Sequence, residues 1–578
     1  MLLERLKAST AHVPTGLTLT RTWRGSFCRA TLRNPTAVPI TVPEVVLFDI
    51  AHGLPSSTPL YAEAFQMLSQ LAGTLETPTD VGLYPDRAHY KIPEPDGLRT
   101  GYGMLMLAPL NQERVLLGFT SCKRFIGRLS FDAMRLRISL DTENKTLAPG
   151  EHWELEEFLA ISGTDREALL DKLTRSIAKH HPKLTHNPVP TGWCSWYCFG
   201  PEVTDKNIYD NLEWAAKSLP SLRYIQIDDG YQPHMGDWLD TGKAFGGSVQ
   251  TVLKAVAQKG FEPALWVAPF IAERESRLFT QHPDWFVKDE TGAPLPSNKI
   301  GFGGWRRGPW YCLDGTNPAV QKHLEALFRT LNREWGVTYF KLDANYWGAI
   351  HGGHHSDKNA TRIEAYRRGM EAILRGVGKG SVILGCNHPI WPSLGLIHAS
   401  RSSNDIERSW ESFTKTGREN LYRGWQNGRF WWNDPDCLLL TGDLPENEFI
   451  FHATLLYATG GMLLSGDDLT QLSPKRLAML KKMLPATGVC ARFADEHFTV
   501  GEIRLRGKTR WVLFNWRDYP TSLIIPLARP THLTDVWSDG DLGTYNSSFA
   551  IMLPARSARL IEATCPPTRT WASTGVPP

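Results

Sequence analysis

The sequence predicts a multidomain protein of α/β and β class: a central (β/α)8 barrel of the TIM type, flanked by an N-terminal and a C-terminal β-sandwich. Three observations predict it. From residue 191 to about 468, short apolar runs alternate with segments of helical period, the pattern of parallel strands joined by crossover helices. Before and after that stretch, strand-like runs are separated by Pro, Gly and Asp turn signals, the pattern of antiparallel sandwiches. A chain of 578 residues is also too long for one ordinary core.

Residues 1–163 form the expected N-terminal sandwich, with runs such as "ITVPEVVLFDI", "MLMLAPL" and "ERVLLGFT". Residues 164–188 form a helix and a linker. The helix "TDREALLDKLTRSIAKH" opens at Thr164, with Glu167 three residues on as a capping box, and the Pro-rich "HHPKLTHNPVPTG" has no periodicity. Residues 189–488 form the barrel. Its strand candidates are "TGWCSWY", "RYIQIDDG", "EPALWVAP", "TYFKLDAN", "SVILGCN", "HASRSSND", "RFWWNDPDCLLL" and "GGMLLSGDD". Among them lie helical patterns such as "SVQTVLKAVAQKG", "VQKHLEALFRTLNREWG" and "TRIEAYRRGMEAILRGVG". The fifth and sixth strands are too close for a full helix between them, and residues 271 to 317 read as a long loop insertion. Residues 489–578 form the C-terminal sandwich, with "FTVGEIRLRG", "TRWVLFNW" and "TSLIIPL" as strands.

Polar residues gather where these strands end: Asp228 and Asp229, Lys341 and Asp343, Cys386 and Asn387, Arg401 and Asp405, Asp434 and Asp436. In such a barrel the C-terminal strand ends share one rim, and that rim carries the active site. One Asp at a strand end is more often a cap or a rim ion pair; several on separate strands point to a site. Two carboxylates across a bound ring can cleave a glycosidic bond, at a separation of roughly 5–5.5 Å in retaining enzymes, and a neighbouring Lys favours the ionised nucleophile. The 21 tryptophans suit either a Trp-rich core or stacking on sugars.

Other chemistries are less well served. A net charge of +3 gives no reason to expect nucleic acid or an acidic membrane as partner. Glu4 and Arg5 stand where a signal peptide needs apolar residues, and no later stretch approaches the ~20 apolar residues of a membrane span, so a cytoplasmic protein is expected. Nine scattered cysteines argue against a disulfide framework. Cys194 and Cys198 read as buried thiols rather than metal ligands, since no second pair stands at zinc spacing. "HGGHH", with His351, His354 and His355, reads as a substrate-side or solvated loop before it reads as a metal site. Asp467 and Asp468 serve as well for a cap as for function. No nucleophile elbow, phosphate loop or dinucleotide fingerprint is present.

"GWCSWY", "IQIDDGYQ" with "GDWL", "LWVAPF", "HPDW", "KLDAN", "ILGCN", "RSSND" and "WWNDPDCLLL" resemble, in order and approximate spacing, the motifs of glycoside hydrolase family 36, the α-galactosidases of the melibiase clan. The dense match spans about residues 190 to 470. The resemblance implies Asp343 as nucleophile, Asp405 as acid/base and Arg401 as its accompanying arginine. It implies Asp228 and Asp229 as the grip on the sugar's O4 and O6, Trp266 as the stacking residue, and Lys341 as a hydroxyl donor. Asn345, Cys386 and Trp196 follow as pocket residues. Asn387, His388 and Pro389 depart from the small residue that many relatives carry after "GC", and this bears on preference at the sugar's C2.

The expected function is that of a retaining, exo-acting α-galactosidase on melibiose- or raffinose-type oligosaccharides, using no metal or organic cofactor. An α-N-acetylgalactosaminidase or a raffinose-synthase-like galactosyl transferase would use the same scaffold. A non-catalytic sugar-binding protein would have no reason to keep Asp343, Asp405, Arg401 and Lys341 together, and a metal-dependent barrel hydrolase would need histidines at strand ends. The partner implied is a small glycoside, with a homo-oligomer compatible with the sequence.

Overall fold

A computed structural model describes residues 2–564. All eight strand candidates of the barrel form, in order: β1 (Thr191–Cys194), β2 (Tyr224–Ile227), β3 (Glu262–Val267), β4 (Tyr339–Leu342), β5 (Val382–Gly385), β6 (Ala399–Arg401), β7 (Trp432–Asp434) and β8 (Leu463–Ser465). β1 to β7 pair in parallel in sequence order, and β8 returns to β1. Past β7 the circle closes through Leu438, whose N–H donates to Leu464 O at 2.7 Å and whose carbonyl accepts from Gly466 N at 3.0 Å. The result is a (β/α)8 barrel.

The short strands are apolar on both faces because both are covered. Tyr224, Ala264, Tyr339, Val382, Leu384, Ala399 and Leu464 fill the barrel interior as one cluster. Their neighbours Ile225, Leu265, Phe340, Leu342 and Ile383 belong to the larger core outside it. This alternation settles where the polar residues go. On β4, Tyr339 points inward and Phe340 outward, so Lys341 and Asp343 fall on the inner face at the strand's C-terminal end. On β2 the same parity sends Gln226 and Asp228 inward.

The named helices form at Val249–Gln258, Pro318–Arg333 and Arg362–Val377. The last opens on a true capping box, Thr361 with Glu364. Helices at Asp205–Ser218, Trp410–Tyr422, Glu446–Thr459 and Pro474–Met483 complete the outer layer. The helix before the barrel starts at Arg166, one step later than expected. Asp165 rather than Thr164 is its cap, accepting from the N–H groups of Glu167 and Ala168. A carboxylate at that position is the stronger acceptor for N-terminal N–H groups, and Glu167 turns instead to Arg166 and Arg429.

Between β5 and β6 there is only a 3-10 turn, Trp391–Ser393. The N-terminal β unit covers the barrel there. Met67 N donates to His388 O at 3.0 Å, Ile390 N to Phe65 O at 2.9 Å, and Trp391 Nε1 to Phe119 O at 2.9 Å. Close packing at this seam requires Gly103, since a Cβ there would sit 2.0 Å from the Trp391 ring. A buried ion pair, Arg423 with Glu63 at 3.0 Å, ties the same unit to the turn after the Trp410–Tyr422 helix.

The N-terminal unit itself is a nine-stranded and a four-stranded antiparallel sheet that share one apolar cluster, with Phe48 and Ile138 from one sheet and Leu117 and Phe158 from the other. Its strands include Ile40–Ala51, Met104–Leu107 and Arg114–Phe119. After the barrel, strands Val500–Leu505, Lys508–Asn515 and Thr521–Pro526 belong to a six-stranded and a two-stranded sheet around Leu513, Ile525, Leu533 and Ile561. The C-terminal unit was expected to run to residue 578; residues 565–578 lie outside the described residues. Among the described residues, no helix is long and apolar enough to cross a membrane.

Candidate active site

Asp343 follows the last residue of β4, half-buried on the rim. Its Oδ2 accepts the indole N–H of Trp266, on the adjoining β3, at 3.1 Å, and its Oδ1 accepts Ala344 N at 2.6 Å. Ala344 holds a left-handed backbone, φ 53, which turns the chain sharply into Asn345 and leaves the carboxylate at the mouth. Lys341, one pleat below, is buried and paired with Asp228 from β2 at 2.9 Å. Asp228 is further held by Gln226 Nε2 at 2.6 Å and the Cys194 thiol at 3.4 Å.

Asp229 turns the other way. Its Oδ1 takes Gln232 Nε2 at 2.7 Å and Arg306 Nη2, while its Oδ2 is buried without a partner among the described residues. Across the rim, Arg401 at the end of β6 is buried, and one of its nitrogens serves two carboxylates: Asp405 at 2.6 Å and Asp436. Tyr197, just past β1, donates its hydroxyl to Asp436. Asp405 stands in the open mouth with its side chain 67 % exposed, whereas Asp436 is 3 % exposed.

The electrostatics separate the two rim carboxyls. Burial raises Asp343 above the usual carboxyl range, against the pull of Lys341 and the Ala344 and Trp266 N–H groups, and the charge of Asp405 adds to the rise. Desolvation by the surrounding rim also raises Asp405, but Arg401 and then Lys341 outweigh it, so Asp405 sits below its usual value. Burial pushes Asp436 up to about 6 in spite of Arg401. A double displacement starting at Asp343 needs the reverse arrangement, Asp343 ionised and Asp405 protonated.

The structure thus brings Asp228, Asp229, Lys341, Asp343, Arg401 and Asp405 to one rim. It gives Trp266 a different position from the expected one: 1 % exposed, the ring lies edge-on to Trp238 at 5.7 Å and offers no face for stacking. It orients Asp343 instead. Cys386 is buried, with its sulfur 3.9 Å from Arg401 Nη1. Asn345 is buried too, donating to Leu342 O at 3.1 Å, with its own oxygen unpaired among the described residues. Trp196 lies half-buried in the turn after β1.

The remaining candidates are structural. His355 is buried against Asp314 at 3.1 Å, His354 lies against Glu290 at 3.0 Å, and His351 bonds the Tyr346 hydroxyl at 3.0 Å. Each faces a different partner, and among the described residues no three His, Cys, Asp or Glu side chains group as metal ligands. Cys194 and Cys198 are free thiols. Asp468 caps the turn Leu469–Gln471, and Asp467 is buried beneath Arg408 and the N–H groups of Leu440 and Thr441.

Sequence reasoning missed Arg306, Gln232 and Tyr197. Arg306 sits in a Gly-rich loop with no periodicity to place it. Only "DGYQ" held a signal, since Gln232 is three residues past the carboxylate it bonds.

The rim of this (β/α)8 barrel holds carboxylates, an ammonium and a guanidinium on separate strands, an arrangement suited to glycoside hydrolysis. The Melibiase family model matches residues 181–377. The bifunctional α-galactosidase/sucrose kinase AgaSK of Mediterraneibacter gnavus is 27% identical over 208 residues, 34% of this chain and 21% of that protein. The chain therefore spans about a fifth of the length of that curated relative. In fold, an α-galactosidase from Thermus thermophilus in complex with p-nitrophenyl α-D-galactopyranoside superposes with a TM-score of 0.63 at 21% identity, covering 84% of this chain and 98% of that one. The α-galactosidase from Lactobacillus brevis does so with a TM-score of 0.66 at 14% identity, covering 96% and 82%. The match to the Melibiase model lies within the barrel and the segment leading into it, and the resemblance to the family-36 α-galactosidases extends to the fold.

Proposed function

We propose that the protein is a retaining, exo-acting α-galactosidase that cleaves terminal α-galactosyl residues from melibiose- or raffinose-type oligosaccharides. The observation that carries the reading is the placing of Asp343 and Asp405 on one rim, Asp343 held by the Trp266 and Ala344 N–H groups and Asp405 by Arg401, close enough for the charge of Asp405 to raise Asp343. Asp343 attacks the anomeric carbon and forms a glycosyl-enzyme. Asp405 protonates the leaving oxygen and then draws a proton from water. Asp228, Asp229, Lys341 and Arg401 hold hydroxyls, Asp229 through the oxygen that no group among the described residues satisfies. These roles fall on carboxylate, ammonium and guanidinium groups, so the scheme asks for no metal or organic cofactor. Residues 2–163 and 489–564 act as sandwiches that frame the barrel, and the protein works in the cytoplasm on soluble glycosides, as a monomer or a homo-oligomer.

Stachyose and p-nitrophenyl α-D-galactopyranoside are the ligands of the Thermus thermophilus structures, which favours a galactoside over an N-acetylgalactosaminide. The test is a panel of nitrophenyl glycosides with chelator present. Turnover is expected on the α-galactoside, with little on its N-acetyl analogue and no response to chelator. Preference for the N-acetyl analogue would move the assignment to an α-N-acetylgalactosaminidase; transfer to added sucrose would move it to a galactosyl transferase.

The pKa order gives a pH prediction. The rate depends on the pair carrying one proton, and the tautomer with that proton on Asp405 has the same charge as the one with it on Asp343. The reversed order therefore lowers the productive fraction without removing the bell shape. With Asp405 depressed and Asp343 raised, kcat/KM should rise through an acidic limb below the ordinary Asp value of about 3.9 and fall through a basic limb above it. A profile flat across both limbs would remove the paired-carboxylate reading.

A further inference from the structure

We propose that Tyr90, from the N-terminal β unit, is a positioning residue of the barrel's active site: its phenol fixes the side-chain amide of Asn387 so that the NH2 end faces the substrate. The inference rests on the glycosidase reading above.

Asn387 follows Cys386 at the end of β5, in the connection that has no helix. Its backbone is left-handed, φ 46, a conformation that Asn tolerates better than most residues. Its carbonyl accepts Tyr346 N at 2.7 Å, which sets the position of the residue but not the direction of its amide. Tyr90 sets that direction. The Tyr90 hydroxyl lies 2.5 Å from Asn387 Oδ1, with both residues buried. No other polar group among the described residues meets this hydroxyl. Burial pushes the phenol well above its usual pKa, so it keeps its proton and donates. A buried hydroxyl with a single neighbour is best satisfied by an acceptor, which assigns the amide oxygen to Tyr90 and the nitrogen to the opposite side.

That nitrogen has no protein partner among the described residues and is not shut away from solvent. It stands beside Cys386, a thiol surrounded by Asp343, Arg401, Lys341 and Asp405, and Tyr90 itself lies within the field of Asp343. Cys386 Sγ lies 3.9 Å from Arg401 Nη1, and Asn387 O meets Tyr346, three residues past Asp343, so Asn387 stands at the rim, where we place its free N–H. It is a neutral donor suited to a sugar hydroxyl oxygen, in a site whose other protein groups are mostly charged.

The Tyr90 ring is itself fixed. Tyr346 lies 4.3 Å away, Phe302 5.4 Å and Trp347 6.3 Å. The segment below it is anchored by Asp86, which accepts Phe65 N at 2.6 Å and Gln66 Nε2 at 3.1 Å. The β unit that takes the place of the missing helix thus also holds one wall of the site.

The test is a double-mutant cycle on the full chain with nitrophenyl α-galactoside. Tyr90→Phe keeps the ring contacts and removes only the donor, leaving the buried Asn387 oxygen without its partner, so the melting temperature should fall by no more than a few degrees while kcat/KM falls about tenfold, the scale of one hydrogen bond to substrate. Asn387→Ala should fall at least as far, and the double variant should fall no further than Asn387→Ala alone, because Tyr90 acts through Asn387. Asn387→Asp keeps an acceptor for Tyr90 but removes the N–H donor, and should be as weak as Asn387→Ala. Additive losses in the double variant, or wild-type kinetics in Tyr90→Phe or Asn387→Asp, would overturn the proposal. A wild type that turns over no nitrophenyl α-glycoside would instead refute the functional reading, and this inference with it.

Discussion

Asp343→Ala is expected to lose turnover by about four to six orders of magnitude on activated and natural substrates alike, the scale on which enzymes lose rate when a nucleophile is deleted. The loss follows from where β4 puts the group. Inward parity and the left-handed turn at Ala344 leave the Asp343 carboxylate as the one acid on this strand that faces the mouth. Lys341 does not depend on it, because its ion pair is with Asp228 at 2.9 Å. The variant should therefore fold, at a cost of about 1–3 kcal/mol for the buried Trp266 N–H left without its acceptor. Circular dichroism separates a folded, inactive protein from an unfolded one. Azide entering the vacated space should attack from the nucleophile's side and give the β-galactosyl azide. A folded variant with wild-type kcat would place the nucleophile on another strand.

Much of this site could be read from the chain because the barrel converts one-dimensional order into one rim. Eight apolar runs could be counted, five of them ending in the polar pairs named above, and a strand's period of two is enough to say that Lys341 and Asp343 share a face. The gap before β6 was visible as spacing too short for a helix. What fills it was not. The contacts that cover it join residues such as Phe65 to Ile390 and Glu63 to Arg423, and contacts so distant along the chain leave no local pattern. Arg306 was hidden for the same reason, since an irregular loop has no periodicity from which to infer a direction. Trp266 was placed on the right strand but given the wrong neighbour. The residue type predicts stacking on a sugar, whereas the packing of Trp238 against its edge leaves only the N–H to act. The helix cap failed by one residue because Thr164 and Asp165 are both competent caps, and only the backbone decides which one is used.

Asp405→Ala should behave differently from Asp343→Ala, and the difference tests the assignment of both. Asp405 is held by Arg401 at 2.6 Å and is otherwise open, so its removal leaves Arg401 paired with Asp436 and the rim intact. Without the acid, a poor leaving group departs unprotonated. Hydrolysis of raffinose-type sugars should fall by at least about 100-fold, the lower end of what a positioned general acid contributes. Nitrophenol, which leaves without a proton, should still be released in the first step. The glycosyl-enzyme then waits for water that has lost its base, so a burst of nitrophenol followed by slow turnover is expected. Azide needs no base. It should enter on the face from which the leaving group departed, accelerate the second step and give the α-galactosyl azide, the opposite anomer to that from Asp343→Ala. The basic limb of kcat/KM should also vanish on nitrophenyl substrates, because only the ionised nucleophile is then required. NMR of the azide products reads the anomer directly. Opposite anomers to those expected would exchange the two roles, and equal losses on nitrophenyl and raffinose-type substrates would show that Asp405 gives no proton to the leaving group.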